Sequence, residues 1–276
     1  MFSQYKQEVS KYGKKDAIIA LCFYVYVCGV LFFAAVLSRL PGMPLGTFTQ
    51  TVISTSFIIV PCFALILLRK QTIASIGIHR KNLRPALRIG LVLCVLILLM
   101  NVIIPMFLGD WTLHPFSHMM QMLFLVLFVA FKEDTMFSGY IQTRIYGLIK
   151  NDIAAVLLTA FLFAFSHVVT IVGLEGMSGF STVLSFSMLF WMVAHIIWNL
   201  IFRRYFSLLP ITMFHVVWNF GNIGIFATRD HPLFGGGIYE KYVILAIVII
   251  WLVFSYYKIR KTPSEQARNT TSIQAN

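Results

Sequence analysis

Residues 118–139 read HMMQMLFLVLFVAFKEDTMFSG. From 123 to 131 every side chain is aliphatic or aromatic, and then Lys132, Glu133 and Asp134 arrive together, with Met136 and Phe137 just beyond. A surface helix of a soluble domain would alternate apolar and polar faces along its length. This stretch has no polar face until its charges appear. Its apolar part has the character of a membrane crossing, which takes roughly 20 residues. Its charges stand where hydrocarbon excludes them.

The same character extends outward along the whole chain. Of 276 residues, 59% are hydrophobic and 12% charged, and the mean hydropathy is +0.82. A soluble domain this apolar could not cover its surface with polar groups. Apolar stretches fall at 17–37, 51–68, 86–107, 118–146, 153–173, 180–202, 207–227 and 242–257. The expected fold class is therefore all-α: a polytopic transmembrane helical bundle of about eight spans. The fourth stretch is too long for one plain span. Its second half, 139–150, carries Gln142, Arg144 and Lys150 and is expected to reach past the core into the cytosolic interface. The sixth and seventh, separated only by 203–206, are expected to form a tight helical hairpin.

The net charge of +12 raises the question of nucleic acid, and its distribution answers it. All of the 22 Lys and Arg except Arg39, Lys132, Arg229 and Lys241 fall in the N-tail, in alternate loops or in the C-tail. That alternation is the positive-inside pattern, with both termini cytosolic. The basic loops then serve as topology signals and lipid contacts. The partner they imply is the bilayer, and no nucleic-acid module is present. A bacterial plasma membrane is the expected location.

The organisation follows from the spans. Residues 1–16 form a basic cytosolic N-tail, 17–117 hold spans one to three, and 118–227 hold spans four to seven. Residues 228–258 comprise an external loop with Gly235–237 and the last span. Residues 259–276 are a polar tail expected to be disordered. The connection 69–88 is polar apart from the run 75–78, a candidate short interfacial helix. Cys22, Cys28, Cys62 and Cys94 all lie inside spans without a Cys-x-x-Cys pair, so they read as packing residues rather than disulfides or metal ligands. The first span is too long, and lacks the small-residue cleavage site, for a signal peptide.

The candidate site consists of what the spans should not contain. Glu133 and Asp134 are the only acidic residues of ten that fall well inside an apolar segment. His167, His195 and His215 are also within spans. Phe163 and His167 are four apart, as are His195 and Asn199, and His215 and Asn219, so each pair shares a helical face. His195-Ile-Ile-Trp-Asn199 recurs as His215-Val-Val-Trp-Asn219. A Glu beside a His can hold and deprotonate water. A His with a nearby Asn can donate hydrogen bonds to a developing oxyanion. Two His and one Glu (His167, His215, Glu133) could alternatively ligate zinc. A third possibility is a polar network that only fastens helices together. No Gly-x-Ser-x-Gly elbow, His-Glu-x-x-His run or phosphate-binding loop is present.

These residues resemble a known family. Glu133-Asp134-Thr-Met-Phe-Ser138-Gly139 resembles the first motif of the CPBP family, also called the Abi family, which contains the CAAX-type prenyl endopeptidases. That motif is Glu-Glu-x-x-x-Arg, often followed by Gly. Phe163-Ala-Phe-Ser-His167 resembles the second motif, Phe-x-x-x-His, and His215-Val-Val-Trp-Asn219 the third, His-x-x-x-Asn. The resemblance covers about residues 118–226, and the basic stretch 75–88 is similar to the family's upstream region. It implies an intramembrane endopeptidase acting on a membrane-associated peptide or protein substrate. By match, Glu133 would activate water with His167 beside it. His215 and Asn219 would stabilise the oxyanion or help hold a metal. Asp134, Phe163 and His195 would be secondary site residues. Bacterial relatives are linked to peptide maturation and bacteriocin self-immunity.

Two positions depart from the pattern. Asp134 replaces the second Glu and shortens its reach by one methylene, about 1.5 Å. Ser138 replaces the Arg and removes a permanent cation. Lys132 could replace that charge, although it leaves the helix in a different direction from position 138. The departures leave open a catalytically degenerate regulator or scaffold of the same fold. A transporter with a proton relay is disfavoured, because no paired inverted repeat is found.

Overall fold

The structure is a computed structural model that describes residues 2–39, 47–103, 106–107, 110–176 and 187–230. The chain divides into two compact units, Met1–Gly235 and Gly236–Asn276. The second lies outside the described residues, and with it the expected eighth span, Gly235–237 and the polar tail.

The described chain is built of helices: α1 (Phe2–Val9), α2 (Lys14–Leu37), α3 (Thr47–Leu68), α4 (Leu83–Leu98), α5 (Phe116–Asp134), α6 (Gln142–Ile149), α7 (Asp152–Glu175), α8 (Ser187–Tyr205) and α9 (Leu209–Ile223). α4 runs on into a wide turn, Leu99–Ile103, with the i→i+5 spacing of a π-helix. α5 and α6 are joined by a longer π segment, Thr135–Ile141, so that one rod runs from Phe116 to Ile149. This rod is the fourth apolar stretch.

Four helical stretches are long and apolar enough to cross a membrane: Lys14–Leu37, Phe48–Leu68, Leu83–Ile103 and Asp152–Glu175. They carry large apolar side chains on their outer faces, with Val25 68%, Val60 65% and Leu67 67% exposed. Water would not tolerate such a surface, and lipid is its natural solvent. The chain is an integral membrane protein. α9 spans only 15 residues, about 22 Å at 1.5 Å per residue. It packs along α4 and α5, while α8 packs along α7. The expected hairpin of spans six and seven is therefore tight only at its turn, where Phe206 adopts a left-handed backbone (φ 45°) and donates its N–H to the Phe202 carbonyl.

The basic segments converge at one end of the bundle. Arg69 pairs with Asp16 at 3.0 Å and Arg203 with Asp152 at 2.6 Å. Lys150 Nζ donates to the Tyr12 carbonyl, and Asn82 Nδ2 to the Tyr205 carbonyl, each at 3.1 Å. The N-tail and loops 69–82, 150–151 and 206–208 are thus stitched together. Local signals fix the helix starts there. Asp16 accepts the Gly13 N–H at the head of α2, and Asn151 caps α7 by accepting from Ile153 and Ala154.

Two expectations are corrected. The seventh apolar stretch does not stay helical to residue 227. The helix ends at Ile223, and Phe226–Asp230 (β2) pairs antiparallel with Asp110–Leu113 (β1), an exception to the all-α reading. Trp, Thr and Phe suit a pleated ribbon, and the Trp111 and Phe226 rings meet at 6.0 Å. The run 75–78 is not an interfacial helix. A 3-10 turn, Ile73–Ile76, drives Ser75 and Ile76 into the protein. The polar half of the fourth stretch lies at the end where the basic segments converge, and there Gln142, Thr143 and Arg144 are wholly buried. Arg144 donates to Gln71 Oε1 (2.6 Å), Ser75 Oγ (2.7 Å) and Thr143 Oγ1 (2.6 Å), and lies 4.5 Å from the ring centres of Tyr12 and Tyr140.

Candidate active site

The site begins where α5 gives way to the π segment. A π turn leaves backbone carbonyls without their usual helical donors and often marks a functional position. Here the Gly139 carbonyl accepts from Thr143 Oγ1 (2.6 Å) and Arg144 Nη1 (3.3 Å), so the widened turn is satisfied from within. Gly139 also lets the 3-10 turn come close, since a Cβ at that position would stand 3.0 Å from the Ile76 carbonyl oxygen.

Glu133 and Asp134 lie on the last turn of α5 and reach the same imidazole on α9. His215 Nδ1 donates to Asp134 Oδ1 at 3.3 Å, and His215 Nε2 stands 3.8 Å from Glu133 Oε2. The shortened acid therefore still meets its partner. Trp198 stacks on His215 with ring centres 4.4 Å apart. Lys132 bends back along the helix to place Nζ 3.5 Å from Glu133 Oε1. Its divergent direction on the helix does not keep its charge from the carboxylate.

His167 stands on α7, within electrostatic range of Glu133 and His215. Its Nδ1 donates to the Phe163 carbonyl at 3.0 Å, which leaves Nε2 for other contacts. Trp191 stacks on it at 4.5 Å. Phe163 lies between two of the imidazoles, 4.6 Å from the ring of His167 and 4.2 Å from that of His195. Asn219 is half-buried one turn beyond His215 on α9 and forms no hydrogen bond to the described residues.

His195 takes a separate place. It is wholly buried, and its Nδ1 accepts from Asn199 Nδ2 at 2.9 Å. Asn199 Oδ1 in turn accepts from Ser138 Oγ at 3.0 Å. The position where the family motif has Arg is thus tied into a neutral chain between the π segment and α8. The two His-x-x-Trp-Asn repeats are not equivalent. In the first, His pairs with its own Asn, while in the second it faces the carboxylates, with the Trp of the first as its stacking plate.

Sequence reading named Ser138 and Asn199 without their link to each other, and it gave the two Trp plates no role. The repeat was the available signal, but it shows that the residues match and not which partner each takes. The zinc alternative, with His167, His215 and Glu133 as ligands, finds no supporting geometry. No group of three His, Cys, Asp or Glu side chains converges closely enough to hold a metal ion among the described residues.

One family model matches, described as Rce1-like: type II CAAX prenyl endopeptidase Rce1-like, over residues 115–221. No individual curated protein matches the chain. The matched segment runs from the head of α5 to Gly221 on α9, and all three motifs of the sequence lie within it. Residues 115–221, which carry both carboxylates and the histidines His167, His195 and His215, are thus similar to the Rce1-like type II CAAX prenyl endopeptidases.

Proposed function

We propose that the chain is an intramembrane endopeptidase in which Glu133 activates the attacking water. The observation that carries this reading is the placement of Glu133. One of its oxygens faces Lys132 and the other faces His215, whose far nitrogen is anchored on Asp134. With Nδ1–H given to Asp134, Nε2 and Glu133 Oε2 are two groups that a single water can bridge. Glu133 takes a proton from that water as its oxygen attacks the carbonyl carbon of the scissile amide. The negative charge forms on the carbonyl oxygen, where the amide N–H donors of Asn219 would stabilise it. The C–N bond then breaks, and the proton held by Glu133 passes to the leaving nitrogen.

The likeness to prenyl endopeptidases supports, as substrate class, a membrane-associated peptide or protein with a lipidated cysteine near its cleavage point. Peptide maturation or bacteriocin self-immunity in a bacterial plasma membrane is the setting we infer for it. Incubating the protein in lipid nanodiscs with a prenylated C-terminal peptide, and following cleavage by mass spectrometry, tests the reading. Glu133→Gln is expected to lower the rate by about 10²–10⁴-fold with expression and membrane insertion unchanged. A Glu133→Gln variant that cleaves at the wild-type rate sinks the proposal.

One observation favours a second reading, a non-catalytic regulator or scaffold of the same fold. The motif's arginine position is filled by a serine absorbed into a structural hydrogen bond. That reading expects a wild-type chain that cleaves nothing, and a Glu133→Gln variant with a fully normal cellular phenotype.

A further inference from the structure

We propose that Lys132 is a positioning residue of this site, its ammonium group holding one oxygen of Glu133 so that the other is presented to His215. The activity part of this inference rests on the water-activating role given to Glu133 above. The pairing part does not.

The argument starts from solvation. Only 7% of the Lys132 side chain is exposed, at the end of an apolar run that lies against other helices. An ammonium ion taken out of water costs several kcal/mol unless a partner compensates it. The partner is Glu133 Oε1 at 3.5 Å, on a carboxylate that is itself only 13% exposed. The opposite oxygen, Oε2, is the one turned to His215 Nε2 at 3.8 Å. The two contacts therefore divide the carboxylate between them and fix its rotation. Neighbouring residues leave a helix about 100° apart, so this contact needs a side chain that can curl sideways. A flexible four-carbon stem ending in a point charge can do so.

Charge balance points the same way. Glu133 and Asp134 are consecutive carboxylates that share one imidazole. Among the described residues, Lys132 is the one permanent cation in contact with either. Ser138 brings no charge, and its hydroxyl is committed to Asn199. Without Lys132, the two adjacent carboxylates would be left with imidazoles alone, and one of the two contacts that set the rotation of the first would be gone.

A double-mutant cycle tests the pairing without any substrate. Lys132→Met, Glu133→Gln and the double variant are compared with wild type by thermal unfolding in one detergent. Each single change strands a buried charge and is expected to lower the midpoint by roughly 5–10 °C. The double change removes both charges and is expected to recover most of that loss. Additive losses overturn the pairing. Should Lys132→Met alone fail to fold, recovery of a folded protein in the double variant still supports it, and an unfolded double variant overturns it.

The positioning role is read by kinetics. Lys132→Met is expected to lower kcat about 100-fold, with KM nearly unchanged, and Lys132→Arg to keep most of the activity. A rise in KM alone, or an Arg variant as poor as the Met variant, overturns it. If the wild-type chain cleaves nothing, the proposed function fails by itself, and the cycle still decides whether Lys132 holds Glu133.

Discussion

Asn199 and Asp134 show what a single residue can and cannot announce. Asp134 was conspicuous from sequence because a carboxylate in hydrocarbon demands a partner. The same logic marked Glu133, His167, His195 and His215. The partners themselves were not legible. Which face of which helix an imidazole meets is set by packing between segments distant in the chain, as with His215 and Asp134. Lys132 was named as a possible replacement charge, and its long side chain does reach Glu133, although it leaves the helix in a different direction from Ser138. Asn199 looked like one more member of a repeat, yet it joins Ser138 to His195 inside the protein. Asn199→Leu would leave a buried imidazole and a buried hydroxyl without their partner. It should cost about 1–3 kcal/mol, read as a lower unfolding midpoint. Ser138→Ala, which removes only the outer donor, is expected to cost less in the same measurement.

At the scale of elements, the lengths of the apolar stretches located helices well and irregularities poorly. The helices long enough to cross a membrane begin and end within a few residues of the apolar stretches. The π segment was invisible, since one widened turn leaves the apolar pattern unchanged. It carries the structural weight of the site, because it turns Ser138 toward Asn199 and brings Gly139 against the turn Ile73–Ile76. Gly139→Ala would push a methyl to 3.0 Å from the Ile76 carbonyl oxygen. Its expected cost is about 1–3 kcal/mol, measured by unfolding. Gly29→Ala on α2 is the control: a Cβ there meets nothing within 4 Å, and its expected effect is nil or slightly stabilising. The β1–β2 ribbon was also missed. Each strand is short, and its partner lies more than a hundred residues away.

For the molecule as a whole, the positive-inside pattern and the structure meet at one point. The segments rich in Lys and Arg are joined to one another at one end, by Arg69–Asp16, Arg203–Asp152 and the contacts of Lys150 and Asn82. Eight spans would place both termini on the same side. A reporter that fluoresces only in the cytosol, fused after Asn276, is expected to be bright, and the same reporter before Met1 likewise. A dark C-terminal fusion beside a bright N-terminal one would require an odd number of crossings. The Arg144 junction also constrains how such a chain is made. Tyr5 on α1 packs against Phe202 and Phe206 of α8 and accepts a hydrogen bond from Gln142, while Tyr12 covers Arg144. During synthesis α1 leaves the ribosome before any of these partners exists. The segment translated ahead of the others is thus among the last to dock, and until α8 is threaded its apolar side must wait against lipid or a chaperone.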